Sequence, residues 1–132
     1  MKNDSQELLT CIAQTIFDKK GLNVLTLDLR GVSLLTDYVV IAEGTVDRHV
    51  IAIGKAIIDA LEAKGEKPAH VEGLIVGDWV VLDYIEIMVH LFMPGLRDKY
   101  QLEQLWKEGK ILDVQIDTSP KGLETYARNH ES

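Results

Sequence analysis

The stretch GDWVVLDYIEIMVHLF, residues 77–92, carries most of the information about the fold. Its β-branched and aromatic content predicts two strands, residues 79–83 and 86–92, closed into a hairpin with Tyr84 and Ile85 at the bend. Side chains alternate along a strand, so the register decides what each face presents. With a two-residue bend, Asp83 opposes Glu86, Val81 opposes Met88 and Trp79 opposes His90. One face then holds Val80, Leu82, Ile87 and Val89, suited to lie beneath helices, and the other holds Trp79, Val81, Met88 and His90 with two acids at its edge. An apolar centre with an aromatic anchor and a polar rim is the anatomy of a protein-binding patch. A bend one residue longer would instead group Trp79 with Ile87, Val89 and Leu91 as an ordinary core face. Ile85 does not choose between the two, being neither the Gly nor the Asn that a tight primed turn favours.

Working outward, Val71-Glu72-Gly73 reads as a short strand and Gly77-Asp78 as a turn. Upstream, Val46, Val50, Ile53, Ile57 and Leu61 share one helical face, with Thr45 placed to cap the helix, Asp47 in its first turn and Lys64-Gly65 closing it. Ile51 and Ile58 lie off that face, seven residues apart, and fit either a dimer seam or a wedge between sheet and neighbouring helix. Residues 23–28 and 37–43 predict two more strands joined by the turn Arg30-Gly31-Val32-Ser33. Asp4-Ser5-Gln6-Glu7 has the spacing of a capping box, and Leu8, Leu9, Ile12, Ala13, Ile16 and Phe17 follow at helical intervals to about Lys19, where Gly21 ends the helix. Downstream, Pro94 suits the start of a short helix with Leu102, Leu105 and Trp106 as its stripe. Residues 1–106 therefore read as one α/β domain, a single mixed sheet packed with helices in two or three layers, and 107–132 as an extension with a strand-like piece and a mobile tail.

A chain of 132 residues with 46% hydrophobic and 27% charged residues is sized for one core. The net charge of -7 argues against binding nucleic acid through the whole surface and favours a basic protein partner. One cysteine, Cys11, permits neither an internal disulfide nor a multi-cysteine metal site, and no signal peptide or membrane span is evident, so a cytoplasmic protein is expected.

Motifs for chemistry are sparse. Neither a phosphate loop nor a dinucleotide fingerprint is present, and Gly44-Thr45 before a helix is more simply a cap than an anion site. His49, His70, His90 and His130 lack zinc-ligand spacing, and His90 reads first as a hydrogen-bonded structural histidine. Two-metal nucleotidyl transfer draws on carboxylates spaced as DxD, and no two acids here are separated by a single residue. No cofactor, metal or catalytic residue is expected.

Several of these residues together resemble a known family. Leu35-Thr36-Asp37-Tyr38, Gly44-Thr45, Arg48-His49-Val50, Glu72-Gly73, Asp78-Trp79, Asp83, Val89-His90, Arg97 and the run Tyr100-Gln101-Leu102-Glu103-Gln104-Leu105-Trp106 are similar, in order and spacing, to the ribosomal silencing factors, RsfS or Iojap-like proteins. The resemblance implies a nucleotidyltransferase-like fold lacking the catalytic carboxylates. It also implies binding to large-subunit ribosomal protein fourteen, a block on joining of the subunits when nutrients are scarce, and a homodimer in the free state. It implies Trp79 as the aromatic anchor of the contact, with Asp83 and its neighbours on the same sheet edge. Together with the strand-face reading, the expected contact set is Trp79, Val81, Asp83, Tyr84, Met88, His90 and Arg97, and Ile51 and Ile58 remain the candidate dimer seam read from the helix. Two departures stand out: Val46 replaces the Ser usual after Gly-Thr, and Ile85-Glu86 replaces Gly-Asp in the bend. The competing reading is a nucleotide-binding protein or nucleotidyltransferase-like enzyme using Gly44-Thr45, Asp37 and Asp83.

Overall fold

The computed structural model describes residues 3–96 and 108–119. Its elements are α1 (Ser5–Asp18), β1 (Leu22–Asp28), β2 (Tyr38–Glu43), α2 (Asp47–Glu62), β3 (His70–Glu72), β4 (Trp79–Asp83), β5 (Ile87–Phe92) and β6 (Lys110–Ile111). The six strands form one sheet in the order β3-β4-β5-β2-β1-β6. Only β2 and β5 pair in parallel, so the sheet is mixed as the sequence predicts. Of the helix expected to begin at Pro94, only residues 94–96 are described; its stripe Leu102, Leu105 and Trp106, and the tail from residue 120, lie outside the described residues.

Both helices pack on one face. Leu8, Leu9, Ile12 and Ile16 of α1 and Val50, Ile53, Ile57 and Leu61 of α2 are buried against Tyr38, Val40, Ala42, Val80, Leu82, Ile87, Val89 and Leu91. Each such aliphatic side chain contributes about 1.5–3 kcal/mol by leaving water, which makes this layer the main source of stability. Gly54 lets α2 approach the sheet, because a Cβ there would press on Leu74 and Val80 at 3.1 and 3.2 Å. The opposite face carries a second cluster, with Leu27, Leu29, Val39, Ile41 and Phe92 buried and Leu25, Trp79, Met88 and Leu96 packed against them.

The helix ends differ from expectation in instructive ways. Asp4 caps α1, its carboxylate accepting the Gln6 amide at 3.1 Å, while Glu7 turns instead to Lys64 at 3.3 Å. At the other end Lys20, not Gly21, takes the left-handed conformation (φ 62°). The Lys20 and Gly21 amides donate back to Phe17 and Ile16, the Schellman arrangement, and Gly21 is required because any Cβ would collide with the Ile16 side chain. Thr45 does not cap α2. Val46 occupies the N-cap position without a side-chain hydrogen bond, and the Thr45 amide donates to His49 Nδ1 at 2.8 Å. His49 Nε2 bonds the Lys19 carbonyl at 2.7 Å, so the neutral Nε2–H tautomer ties the start of α2 to the end of α1.

The extension after residue 107 returns to the sheet. β6 pairs with Leu27 and Asp28 at the β1 edge, and the Leu112 amide donates to the Thr26 carbonyl at 2.9 Å. Among the described residues no helix is long and apolar enough to cross a membrane.

Candidate functional site

The β4–β5 hairpin sets the site. Trp79 pairs with Phe92, Val81 with His90 and Asp83 with Met88, which corrects both registers considered from the sequence. The bend is Ile85-Glu86, with the Tyr84 amide donating to the Ile87 carbonyl and the Glu86 amide to the Tyr84 carbonyl, each at 2.9 Å. Ile85 is left-handed at φ 73°, a conformation that a β-branched residue resists and glycine accepts. Asp83 holds it there, its carboxylate accepting the Ile85 amide at 2.7 Å. The pairing slides by two positions relative to the shorter expected bend, and a slide of two leaves every side chain on its expected face.

Trp79, Val81, Asp83, Met88 and His90 therefore share the face opposite the helices, joined by Phe92 from β5 and by Val39 and Ile41 from β2. Tyr84 is not among them: it is buried on the helix side of the sheet. Burial there, with the Cys11 sulfur and the Glu62 and Glu66 carboxylates adding to it, pushes its phenol up to about 12. Arg97 falls outside the described residues. Two residues on this face were not among the contact residues expected from the sequence, His70 and Glu72, which pair with Asp83 and Val81 and bond each other at 2.7 Å. The signal for them was the alternation His70-Val71-Glu72 on an edge strand.

Trp79 is partly exposed and firmly placed. Its indole Nε1–H donates to Nδ1 of His90 at 3.1 Å, and its ring lies 5.2 Å from Phe92 and 6.0 Å from the imidazole. His90 stacks on Phe92 at 6.2 Å and is 95% buried by its 5% exposure, so it positions the indole rather than meeting a partner itself. Desolvation brings the imidazole down to about 4, which keeps it neutral with Nδ1 as an acceptor. Against the Trp79 backbone, Gly73 is left-handed (φ 86°), and a side chain there would strike the Trp79 carbonyl. Asp78 completes the support by accepting the Trp79 amide at 2.9 Å. Asp83 and Glu72 give the face an acidic border.

The alternative anion site at Gly44-Thr45 is already engaged. The Gly44 amide donates to the Phe92 carbonyl at 2.9 Å, the Thr45 amide to His49, and the Arg48 amide to the Asp47 carboxylate at 2.7 Å. Among the described residues no group of three or more His, Cys, Asp or Glu side chains is placed to hold a metal ion. Ile51 and Ile58, the candidate seam, are each partly covered by this chain: Ile58 packs on the helix-side core, and Ile51 leaves no room for a Cβ at Gly77.

The family described as "RsfS: Ribosomal silencing factor during starvation" matches residues 2–132. The chain belongs to the ribosomal silencing factor family. It is 35% identical to the ribosomal silencing factor RsfS of Zymomonas mobilis over 116 residues, 88% of this chain and 87% of that one. The Bacillus subtilis RsfS is 32% identical over 111 residues, 84% of this chain and 94% of the relative. A crystal structure from Chromobacterium violaceum superposes with a TM-score of 0.77 at 26% identity, covering 89% of this chain and 97% of the other. One from Bacillus halodurans gives 0.74 at 30% identity, covering 83% and 99%. The relatives' names describe regulation of the ribosome rather than catalysis, and the α/β sheet with its two helices is shared with the solved structures.

Proposed function

We propose that this protein represses translation without enzymatic turnover, by seating the face around Trp79 on ribosomal protein fourteen of the large subunit and so excluding the small subunit when nutrients are limiting. The observation that carries the reading is the placement of Trp79: a partly exposed indole, fixed by His90 and Phe92, in an apolar face bordered by Asp83 and Glu72 on the side of the sheet away from α1 and α2. Val81 and Met88 supply the apolar surroundings, and the acids suit a basic ribosomal protein. His90 supports this surface from within, Tyr84 lies on the other, helix side of the sheet, and Arg97 joins the contact set on the resemblance alone. A bound domain of this size blocks docking by occupancy, so affinity sets the degree of repression. On the same reading the protein acts in the cytoplasm and forms a homodimer when free of ribosomes.

The test is co-sedimentation with purified large and small subunits offered separately. The proposal expects the parent to travel with the large subunit alone, and Trp79→Ala to bind about thirtyfold more weakly, the equivalent of about 2 kcal/mol for a central aromatic anchor. Equal sedimentation of parent and folded Trp79→Ala would remove Trp79 from that role. A calorimetric titration with nucleotide and magnesium addresses the competing reading, which needs saturable heat.

A further inference from the structure

The two ends of the sheet are finished differently. β6 covers the outer edge of β1, while β3 closes the order on the other side with no strand beyond it among the described residues. An open edge presents backbone amides and carbonyls to solvent and is a template for a further strand. β3 is short, His70-Val71-Glu72, and its two faces differ. His70 and Glu72 stand exposed on the Trp79 side, bonded to each other at 2.7 Å, and Val71 turns to the helix side, where it packs half-buried on the core.

The loop after β3 adds apolar surface and is rigidly built. The Gly77 amide donates to the Gly73 carbonyl at 2.9 Å, and both glycines are left-handed, at φ 82° and 86°. A Cβ at Gly77 would collide with the Asp47 carbonyl and the Ile51 side chain of α2, so the loop is pinned there. Leu74 turns inward to Gly54 of α2, whereas Ile75 and Val76 are 95% and 65% exposed. Two adjacent aliphatic side chains held out of their own core by a fixed loop belong to a contact with another molecule.

We propose that β3 is the surface on which a second copy of this chain docks, edge to edge and antiparallel about a two-fold axis at Val71, joining two six-stranded sheets into one. The inference rests on the reading that the free protein is a homodimer, and it supplies the surface. The argument is complementarity. A two-fold axis sets each residue against the one equally far beyond Val71 in the other copy. His70 of each copy then faces Glu72 of the other, and the two internal pairs merge into a ring of four side chains. Charges on an edge strand ordinarily keep neighbours away, whereas these select a partner with the same edge running the opposite way. The same register carries Ile75 toward Lys67 and Pro68 of the second copy, where a lysine stem and a proline ring replace water over the exposed side chain.

The test is the mass of the full-length chain in sedimentation equilibrium, with circular dichroism to show that each variant is folded. The parent is expected as a dimer. Glu72→Lys places an ammonium opposite His70, and His70→Glu places a carboxylate opposite Glu72, so each variant alone should dimerise about tenfold more weakly. Mixed one to one, the two variants restore opposite charges at both places, and the mixture should return to a dimer holding one chain of each. Variants that keep the parent's affinity, or a mixture no tighter than its components, would overturn the β3 edge while leaving the homodimer standing. A parent that is monomeric at every concentration would remove the homodimer and the edge with it. As an independent readout, Val71→Cys in a Cys11→Ser background should bridge two chains on oxidation, because directly opposed Cα atoms about 4.5–5.5 Å apart suit a disulfide. Bridging no faster than for Thr10→Cys, on the outer side of α1, counts against the two-fold at Val71.

Discussion

The buried imidazole under Trp79 makes stability depend on pH in a defined window. Burial brings His90 from its ordinary 6.5 down to about 4 in the folded protein. Protonation would also turn Nδ1 from an acceptor into a donor facing the indole N–H, breaking the 3.1 Å bond that fixes Trp79. Above pH 6.5 both folded and unfolded chains keep this ring neutral, and its contribution is constant. As pH falls below 6.5 the unfolded chain takes a proton that the folded chain refuses, so stability is lost until about pH 4, where the folded form titrates as well. The slope is about 1.4 kcal/mol per pH unit, and the full loss is about 3 kcal/mol, a large share of a domain's stability. The comparison is between the parent and His90→Gln, which retains an acceptor for the indole but cannot titrate. Urea unfolding at steps from pH 7.5 to 4, followed by tryptophan fluorescence, should show the difference in stability between the two proteins changing by about that amount across the window. Parallel curves would refute the argument that a dry, neutral His90 carries Trp79.

Two substitutions test local strain and capping away from this centre. Ile85→Gly should stabilise the protein by about 1 kcal/mol and raise the melting temperature by roughly 3–5 °C, because it relieves a left-handed β-branched residue whose side chain is 66% exposed and packs little; a lower melting temperature would contradict the assigned bend. Val46→Ser should add about 1 kcal/mol in urea unfolding by supplying the side-chain cap that α2 lacks, with little burial lost from a residue 50% exposed. No gain there would mean that the Thr45–His49 contact already serves the helix start.

Much of this architecture is written locally in the sequence. The 3.6-residue spacing of Leu8, Leu9, Ile12 and Ile16, and of Val50, Ile53, Ile57 and Leu61, identifies both helices and their buried faces. Strand alternation divides the hairpin correctly into a helix-side face and a Trp79 face, and by the same alternation Tyr84 belongs to the helix side, away from the contacts with which the resemblance groups it. The exact pairing was not legible, because the observed bend puts Ile85 where residue preference argues for glycine and Asp83 compensates through its carboxylate. Contacts distant in sequence were hidden for a different reason. The His49 bond to Lys19, the Trp79 bond to His90 and the β6 pairing with β1 exist only once separate elements are assembled.

The central claim, that the Trp79 face keeps the ribosomal subunits apart, is tested most directly by sucrose-gradient analysis of purified subunits under joining conditions, with increasing amounts of this protein. The account predicts that the joined particle declines while the protein travels with the free large subunit, and that folded Trp79→Ala requires about thirtyfold more protein for the same effect. An undiminished joined particle at saturating protein, or equal potency of the two proteins, would contradict it.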